Sequence, residues 1–157
     1  MNSSVVNIVL AGLGGQGVLK ASDIVAEVAF RAGMDVKKSE IHGMSQRGGS
    51  VSSDVRYGRQ VLSPMVPPAE ADYLVILEAT QVPVNQAMLR PGGVLIEPAL
   101  LDGVKLRSEK SLNVALLGRL SRHLEFSEEA WIEAINAHLP EKLHAMNLEA
   151  FQAGRNS

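Results

Sequence analysis

A glycine-rich turn, Gly12-Leu13-Gly14-Gly15-Gln16-Gly17, separates a short apolar run from an amphipathic stretch, and this order constrains the fold more than any other feature. Val5, Val6, Ile8, Val9, Leu10 and Ala11 make the preceding run almost continuously apolar, as in a parallel strand covered on both faces. Beyond the turn, Val18, Ala21, Val25, Val28 and Ala32 recur at helical spacing. Lys20, Asp23, Glu27 and Arg31 form the opposite, solvated stripe. Strand, turn and helix are the first half of a βαβ unit. Such a turn aims backbone N–H groups and the positive end of a helix dipole at one point, which suits an anion, most often a phosphate. The pattern predicts an α/β fold: a three-layer, Rossmann-like arrangement with a mixed, mainly parallel sheet and helices on both faces.

The 157 residues amount to one domain, enough to bury roughly two-thirds of the surface the unfolded chain exposes. Net charge is −2 and basic runs are lacking, so no phosphate-neutralising patch for nucleic acid is visible. Residues 1–60 carry seven Lys/Arg against five Asp/Glu, and 61–157 eight against twelve, so the mild positive excess lies with the glycine turn. Cysteine is absent, which excludes a disulfide, a thiolate metal site and a cysteine-ligated iron–sulfur cluster from these residues. No apolar run reaches the roughly 18 residues of a membrane span. A cytoplasmic protein with no membrane partner is expected.

Gly33 stands where a helix ends in a left-handed residue, and Met34-Asp35-Val36 reads as a second short strand. Residues 37–53 are polar and glycine-rich without apolar periodicity, and a connector of that length reads as a functional loop. A strand is predicted over 51–56, and Gly58-Arg59 as a hairpin turn into Gln60-Val61-Leu62. The sheet should then be parallel in its centre with an antiparallel margin. Tyr73-Leu74-Val75-Ile76-Leu77 is another buried strand, with Glu78 at its carboxyl end. A helix is predicted over 81–90, a strand over 94–96 after the break Pro91-Gly92-Gly93, and helices over 112–124, 128–139 and 141–153. Ser127 caps the second of these three and Gly154 ends the last.

Two constellations carry chemistry. The turn matches G-x-G-x-x-G between a strand and a helix, as in dinucleotide sites. Those sites also want an acidic residue about 20 positions on to hold a ribose hydroxyl, and this chain offers Lys37 and Lys38 there, with Glu40 beyond. Ordinary NAD binding is disfavoured. The bland alternative is that the glycines only permit tight helix–sheet packing. The second constellation is Glu40-Ile41-His42-Gly43-Met44-Ser45-Gln46-Arg47-Gly48-Gly49-Ser50, where Gly48 and Gly49 allow close backbone approach and Arg47 can clamp an anion in a fork. Its alternative is a solvated surface loop. Glycine-rich segments after the first two strands favour a ligand, because open α/β sheets bind ligands at that edge. His123, His138 and His144 have no carboxylates at metal-ligand spacing and read as surface or boundary residues, and Glu78 and Glu97 as strand-end acids that can line the cleft.

Together, residues 12–17 and 39–51 resemble the gamma-type module of 2-oxoacid:ferredoxin oxidoreductases. With His42-Gly43-Met44 the second loop is most similar to the beta subunits of indolepyruvate:ferredoxin oxidoreductases. The resemblance runs along nearly the whole chain, including Leu89-Arg90-Pro91-Gly92-Gly93 and Asn147-Leu148-Glu149-Ala150-Phe151; the chain is short for such a subunit, with the shortfall placed between Leu100 and Leu112. It implies one gamma-type domain over 1–157 in an enzyme that oxidatively decarboxylates a 2-oxoacid, indolepyruvate or another aryl pyruvate, to an acyl-coenzyme A while reducing ferredoxin. Thiamine diphosphate with Mg²⁺ and iron–sulfur clusters carry that chemistry. This chain shows no Gly-Asp-Gly segment followed by paired asparagines, the usual thiamine signature, and no cysteine. A larger partner subunit must therefore supply these cofactors and meet ferredoxin.

By the same resemblance this module lines the active site and helps to receive coenzyme A. The isolated chain is expected to be inactive and free to pair with itself as a homodimer. No catalytic residue and no metal ligand is assigned. The candidate binding set is Gly12, Gly14, Gly15, Gln16, Gly17, Lys37, Lys38, Glu40, His42, Gln46, Arg47, Gly48, Gly49 and Ser50. Two other readings stand beside this one: a self-standing Rossmann-type oxidoreductase whose lysines select NADP, and an assembly scaffold whose glycine loops pack on a partner.

Overall fold

The computed structural model describes residues 5–42 and 49–157. Five strands form one sheet: β1 (Val6–Leu13), β2 (Asp35–His42), β3 (Ser50–Gly58), β4 (Ala71–Ile76) and β5 (Leu89–Ile96). Their order is β2-β3-β1-β4-β5. β1 pairs in parallel with β4 and β4 with β5, whereas β3 runs antiparallel to both β1 and β2. The sheet is mixed, as expected, but its antiparallel strand lies inside it rather than at the margin.

Most of the polar segment after Val36 is strand, not loop. β2 extends to His42 and pairs residue by residue with β3, from Asp35 opposite Gly58 to His42 opposite Val51. The reason it escaped the hydrophobic pattern is its place at the sheet edge. An edge strand is half solvated and favours charged side chains that discourage pairing with other chains. Alternation along it places Lys38 and Glu40 on one face and Lys37, Ser39 and Ile41 on the other. The predicted hairpin is also absent: β3 ends at Gly58, and Val61 N–H donates to Asp35 Oδ2 at 2.7 Å instead of starting a strand.

One face of the sheet carries the main core. Ile8, Leu10, Val55 and Val75 meet α1 (Val18–Arg31), α3 (Leu112–Ser121), α4 (Glu128–His138) and α5 (His144–Arg155), with Trp131 and Phe151 fully buried among them. Ser127 caps α4 by accepting Ala130 N–H at 3.1 Å, as predicted. α3 and α5 approach very closely. A Cβ on Gly154 would lie 1.8 Å from Ala115 O, so this glycine sits within α5 as a packing contact and does not end the helix.

The opposite face is covered more thinly. Val9, Ala11, Leu74 and Ile76 pack under Val66, Val82 and Met88. The cover is the chain over 60–70 together with a 3₁₀ turn (Ala79–Gln81), the single-turn α2 (Val82–Asn85) and a second 3₁₀ turn (Gln86–Met88). The helix expected over 81–90 thus stops early, because β5 starts at Leu89 and takes in Pro91, Gly92 and Gly93. β5 is an edge strand, where proline's missing N–H costs no ladder bond.

Candidate functional site

The glycine turn stands at the carboxyl end of β1, and backbone geometry explains its residues. Gly15 and Gly17 have φ of 91° and 86°, in the left-handed region where a side chain is strained. Gly17 is the N-cap of α1, and Asn113 from α3 donates its side-chain amide to Gly17 O at 3.2 Å. A Cβ on Gly17 would come within 2.5 Å of that amide nitrogen. Gly12 is buried beneath the turn, where a Cβ would meet Gln16 Oε1 at 2.8 Å and Leu77 Cβ at 3.1 Å. Gln16 folds back over it, accepting Leu13 N–H at 2.8 Å and donating to Glu78 Oε1 at 3.1 Å.

The start of the second loop's return strand joins the same rim. Gly14 N–H donates to Gly49 O at 2.9 Å, and Leu13 pairs with Ser50. Ser50 Oγ donates to Gln81 Oε1 at 2.8 Å. The glycine turn, Gly49 with the start of β3, the end of β4 and the turn after it therefore meet at one edge of the sheet.

Beside this rim opens a cleft of about 850 Å³. Gly15, Gln16, Gly17, Glu78 and Asn113 form its inner, polar side. Leu77, Pro98, Val104, Leu106 and Leu112 form an apolar wall, and Glu109 and Lys110 stand at it too. The segment over 98–111 that builds the outer wall consists of two 3₁₀ turns, Pro98–Leu101 and Glu109–Ser111, joined through Gly103 at φ 87°. Mixed apolar and polar lining of this volume is the usual make-up of a small-molecule site. The first-turn amides of α1 have no side-chain cap, and the helix dipole brings partial positive charge to the same edge.

The candidate residues divide. Gly15, Gln16 and Gly17 line the cleft, while Gly12 and Gly14 hold the turn in shape, and Gly49 and Ser50 brace it from the neighbouring strand. Lys37, Lys38 and Glu40 do not reach it. β3 separates their strand from β1, which sets β2 roughly 10 Å from the glycine strand. Lys37 pairs with Asp35 at 3.3 Å on one face; Lys38 pairs with Asp23 and with Glu40, the latter at 3.0 Å, on the other. The two lysines stand on opposite faces and neither lines the cleft, so the structure does not bring them to the glycine turn as candidate binding residues. The NADP reading loses its footing for the same reason, since that fold needs the ribose-selecting strand next to β1. His42 ends β2 opposite Val51; Gln46, Arg47 and Gly48 lie outside the described residues.

Sequence reasoning missed Asn113, Gln81 and Lys110, which come from segments with no motif; only Glu78, singled out as a strand-end acid, was in view. Glu97 is not among the lining residues. Among the described residues no three His, Asp or Glu side chains gather as metal ligands. His144 Nε2–H donates to the carbonyls of Asn136 (3.0 Å) and Leu139 (2.8 Å), and His138 meets Glu27 at 3.3 Å, so both serve helix packing. His123 packs at a tilt against the Tyr73 ring, and burial followed by Arg119 and Arg122 pushes its pKa down. No helix of the described residues is long and apolar enough to cross a membrane.

Comparison with known proteins fits this architecture. Residues 7–102 match the family model described as pyruvate ferredoxin/flavodoxin oxidoreductase. Indolepyruvate oxidoreductase subunit IorB of Thermococcus kodakarensis is 32% identical over 188 aligned positions, covering 94% of this chain and 93% of that protein. Subunit IorB of Methanothermobacter thermautotrophicus is 30% identical over 94% of this chain and 95% of its own length. In fold, the chain superposes on the keto/oxoacid ferredoxin oxidoreductase gamma subunit from Geobacter sulfurreducens with a TM-score of 0.82 at 24% identity, over 98% and 96% of the two chains. It also superposes, with a TM-score of 0.83 at 21% identity, on the 2-oxoglutarate:ferredoxin oxidoreductase from Magnetococcus marinus that has 2-oxoglutarate, coenzyme A and succinyl-CoA bound. There 99% of this chain matches 31% of that one.

The chain belongs to the pyruvate ferredoxin/flavodoxin oxidoreductase family and is an oxidoreductase subunit. Within the family it aligns along most of its length with the IorB subunits of indolepyruvate oxidoreductases. The alignment is longer than the 157 residues of this chain, so those relatives carry internal segments that it lacks.

Proposed function

We propose that this chain is the small subunit of an indolepyruvate-type 2-oxoacid:ferredoxin oxidoreductase, and that its cleft forms one wall of the active site and receives part of coenzyme A. The observation that carries this reading is the cleft at the glycine rim, with polar amides on one side and a hydrocarbon wall on the other. Leu77, Val104, Leu106 and Leu112 suit the pantetheine arm, a thin chain of methylenes and amides. Gln16 and Asn113 offer amide groups to it, beyond the bonds they already make within the chain. Lys110 and the uncapped first turn of α1 suit a diphosphate. The cleft is not purely cationic, because Glu78 and Glu109 share it with Lys110. Selection then rests on shape and amide pairing as much as on charge.

Thiamine diphosphate with Mg²⁺ would supply the carbanion chemistry and iron–sulfur clusters would carry the electrons; the sequence has no cysteine to ligate iron and no Gly-Asp-Gly thiamine segment, so both are assigned to a larger subunit. This chain's own part is to position the acyl acceptor and to keep water from the reacting centre. The test is anaerobic reconstitution of the two subunits with ferredoxin and coenzyme A. Aryl-pyruvate-dependent ferredoxin reduction should require both chains. A larger subunit that turns over alone, with the same rate and the same KM for coenzyme A, would refute the role.

A further inference from the structure

The outer wall of the cleft is thinly bonded. Between the 3₁₀ turns Pro98–Leu101 and Glu109–Ser111, the chain over 102–108 has no regular structure. Exposure alternates along it: Val104, Leu106 and Ser108 are partly buried, whereas Lys105 and Arg107 are exposed. Successive side chains thus stand on opposite sides of the chain. The inward Val104 and Leu106 line the cleft and pack against the main core. Backbone bonding is local to the two turns, as in Val104 N–H donating to Leu101 O at 2.9 Å and Ser111 N–H to Ser108 O at 3.1 Å. Among the described residues, Arg107 makes the only hydrogen bonds that tie 102–108 to a distant element. Its Nε donates to Oε1 of Glu149 in α5 at 3.0 Å, and its Nη2 to Oε2 at 2.9 Å.

We infer that the Arg107–Glu149 fork positions the outer wall of the cleft for its ligand, a role that rests on the reading of this cleft as the coenzyme A site. Two parallel bonds to one carboxylate fix orientation as well as distance. Holding Arg107 outward on α5 turns its neighbour Leu106 inward, and Val104 with it. α5 is a firm anchor, because at Gly118 and Gly154 its backbone lies directly against that of α3. Leu112 and Asn113, at the start of α3, line the same cleft, so the fork fixes the outer wall relative to the inner side. The pair itself is exposed, at 61% and 56%, and adds little to overall stability. Its effect falls on the wall. A wall set in advance removes an ordering cost from binding. Losing it weakens ligand binding equally in the ground and transition states, which raises KM and leaves kcat in place.

Arg107→Ala, Glu149→Ala and the double variant are compared with Lys110→Ala in the reconstituted enzyme. Each change at the fork should raise KM for coenzyme A at least threefold with kcat within twofold. The double variant should be no worse than either single, the mark of one shared interaction. Glu149→Ala separates positioning from direct contact. It frees the guanidinium, so an Arg107 that itself gripped a phosphate of coenzyme A would bind no worse. A raised KM in Arg107→Ala beside a parent-like KM in Glu149→Ala therefore overturns the inference. Trypsin supplies a readout apart from activity, since Glu149→Ala retains every lysine and arginine. The isolated full chain carrying it should be cut after Lys105 at least threefold faster than the parent, while melting within about 2 °C of it. Equal cleavage overturns the inference. If Lys110→Ala raises KM and both fork variants do not, the inference is overturned and the functional reading stands. If Lys110→Ala leaves KM unchanged as well, both fall together.

Discussion

Gln16 Nε2 lies 3.1 Å from Glu78 Oε1, so one side chain ties the turn after β1 to the carboxyl end of β4. Its other amide atom accepts Leu13 N–H at 2.8 Å. Gln16→Ala leaves that part-buried N–H without its partner and removes the brace to Glu78. Chemical denaturation should show a loss of about 1–3 kcal/mol. Gln16→Glu keeps the acceptor but sets two carboxylates in contact, so its stability loss should be larger at pH 7 than at pH 4.5.

The α3–α5 contact tolerates no added methyl. With Ala115 O only 1.8 Å from a Cβ on Gly154, and Phe151 O 2.1 Å from one on Gly118, neither neighbour can yield without moving a helix backbone. Gly154→Ala should cost about 1–3 kcal/mol, roughly 3–10 °C in Tm, despite alanine's better helix propensity. A melting curve that rises would show that the two helices part readily enough to accept the methyl group, against the close contact described.

Asp54 is 4% exposed, and burial raises its pKa more than the Val66 N–H and Arg56 lower it. Because the folded pKa is raised, the native state binds the proton more tightly than the unfolded chain. Stability from this group therefore falls as pH rises through the folded pKa, and the cost is complete above it. Asp54→Asn, which can still accept from Val66, should raise Tm at pH 7. The gain should vanish below the ordinary carboxylate range, as calorimetry at several pH values would record.

Lys37 and Lys38 provide a control for the site itself. Both are paired on β2, on opposite faces and away from the cleft, whereas Lys110 stands at its wall. In the reconstituted enzyme, Lys37→Ala and Lys38→Ala should leave KM for coenzyme A within twofold, and Lys110→Ala should raise it about three- to tenfold. The reverse pattern would restore β2 as a ligand-binding strand.

What the sequence disclosed followed from strong local signals. Apolar β1, the glycine turn and amphipathic α1 declare themselves because burial on both faces of the strand and one face of the helix leaves a periodic record. β2 left none: an edge strand of Lys, Ser and Glu is held by its ladder to β3, which only the folded chain supplies. Because β3 inserts between β2 and β1, the lysines that follow the glycine turn at dinucleotide spacing lie two strands from it, on opposite faces of the sheet. Lys110 and Asn113 reach the cleft from a 3₁₀ turn and from the start of α3, and Gln81 reaches the rim at Ser50, through contacts far apart in sequence, such as Asn113 with Gly17. The same holds for Gly154, legible as a helix breaker but placed by its helix partner.

A side chain that fills the cleft is the most direct probe of its use by the assembled enzyme. Leu106 lines the cleft and is only partly buried, so Leu106→Trp narrows it from the outer wall. In complexes shown by co-elution to be intact, this variant should raise KM for coenzyme A at least tenfold while leaving KM for the 2-oxoacid within twofold. An unchanged coenzyme A KM in an intact complex would contradict the assignment of this cleft to the acyl acceptor.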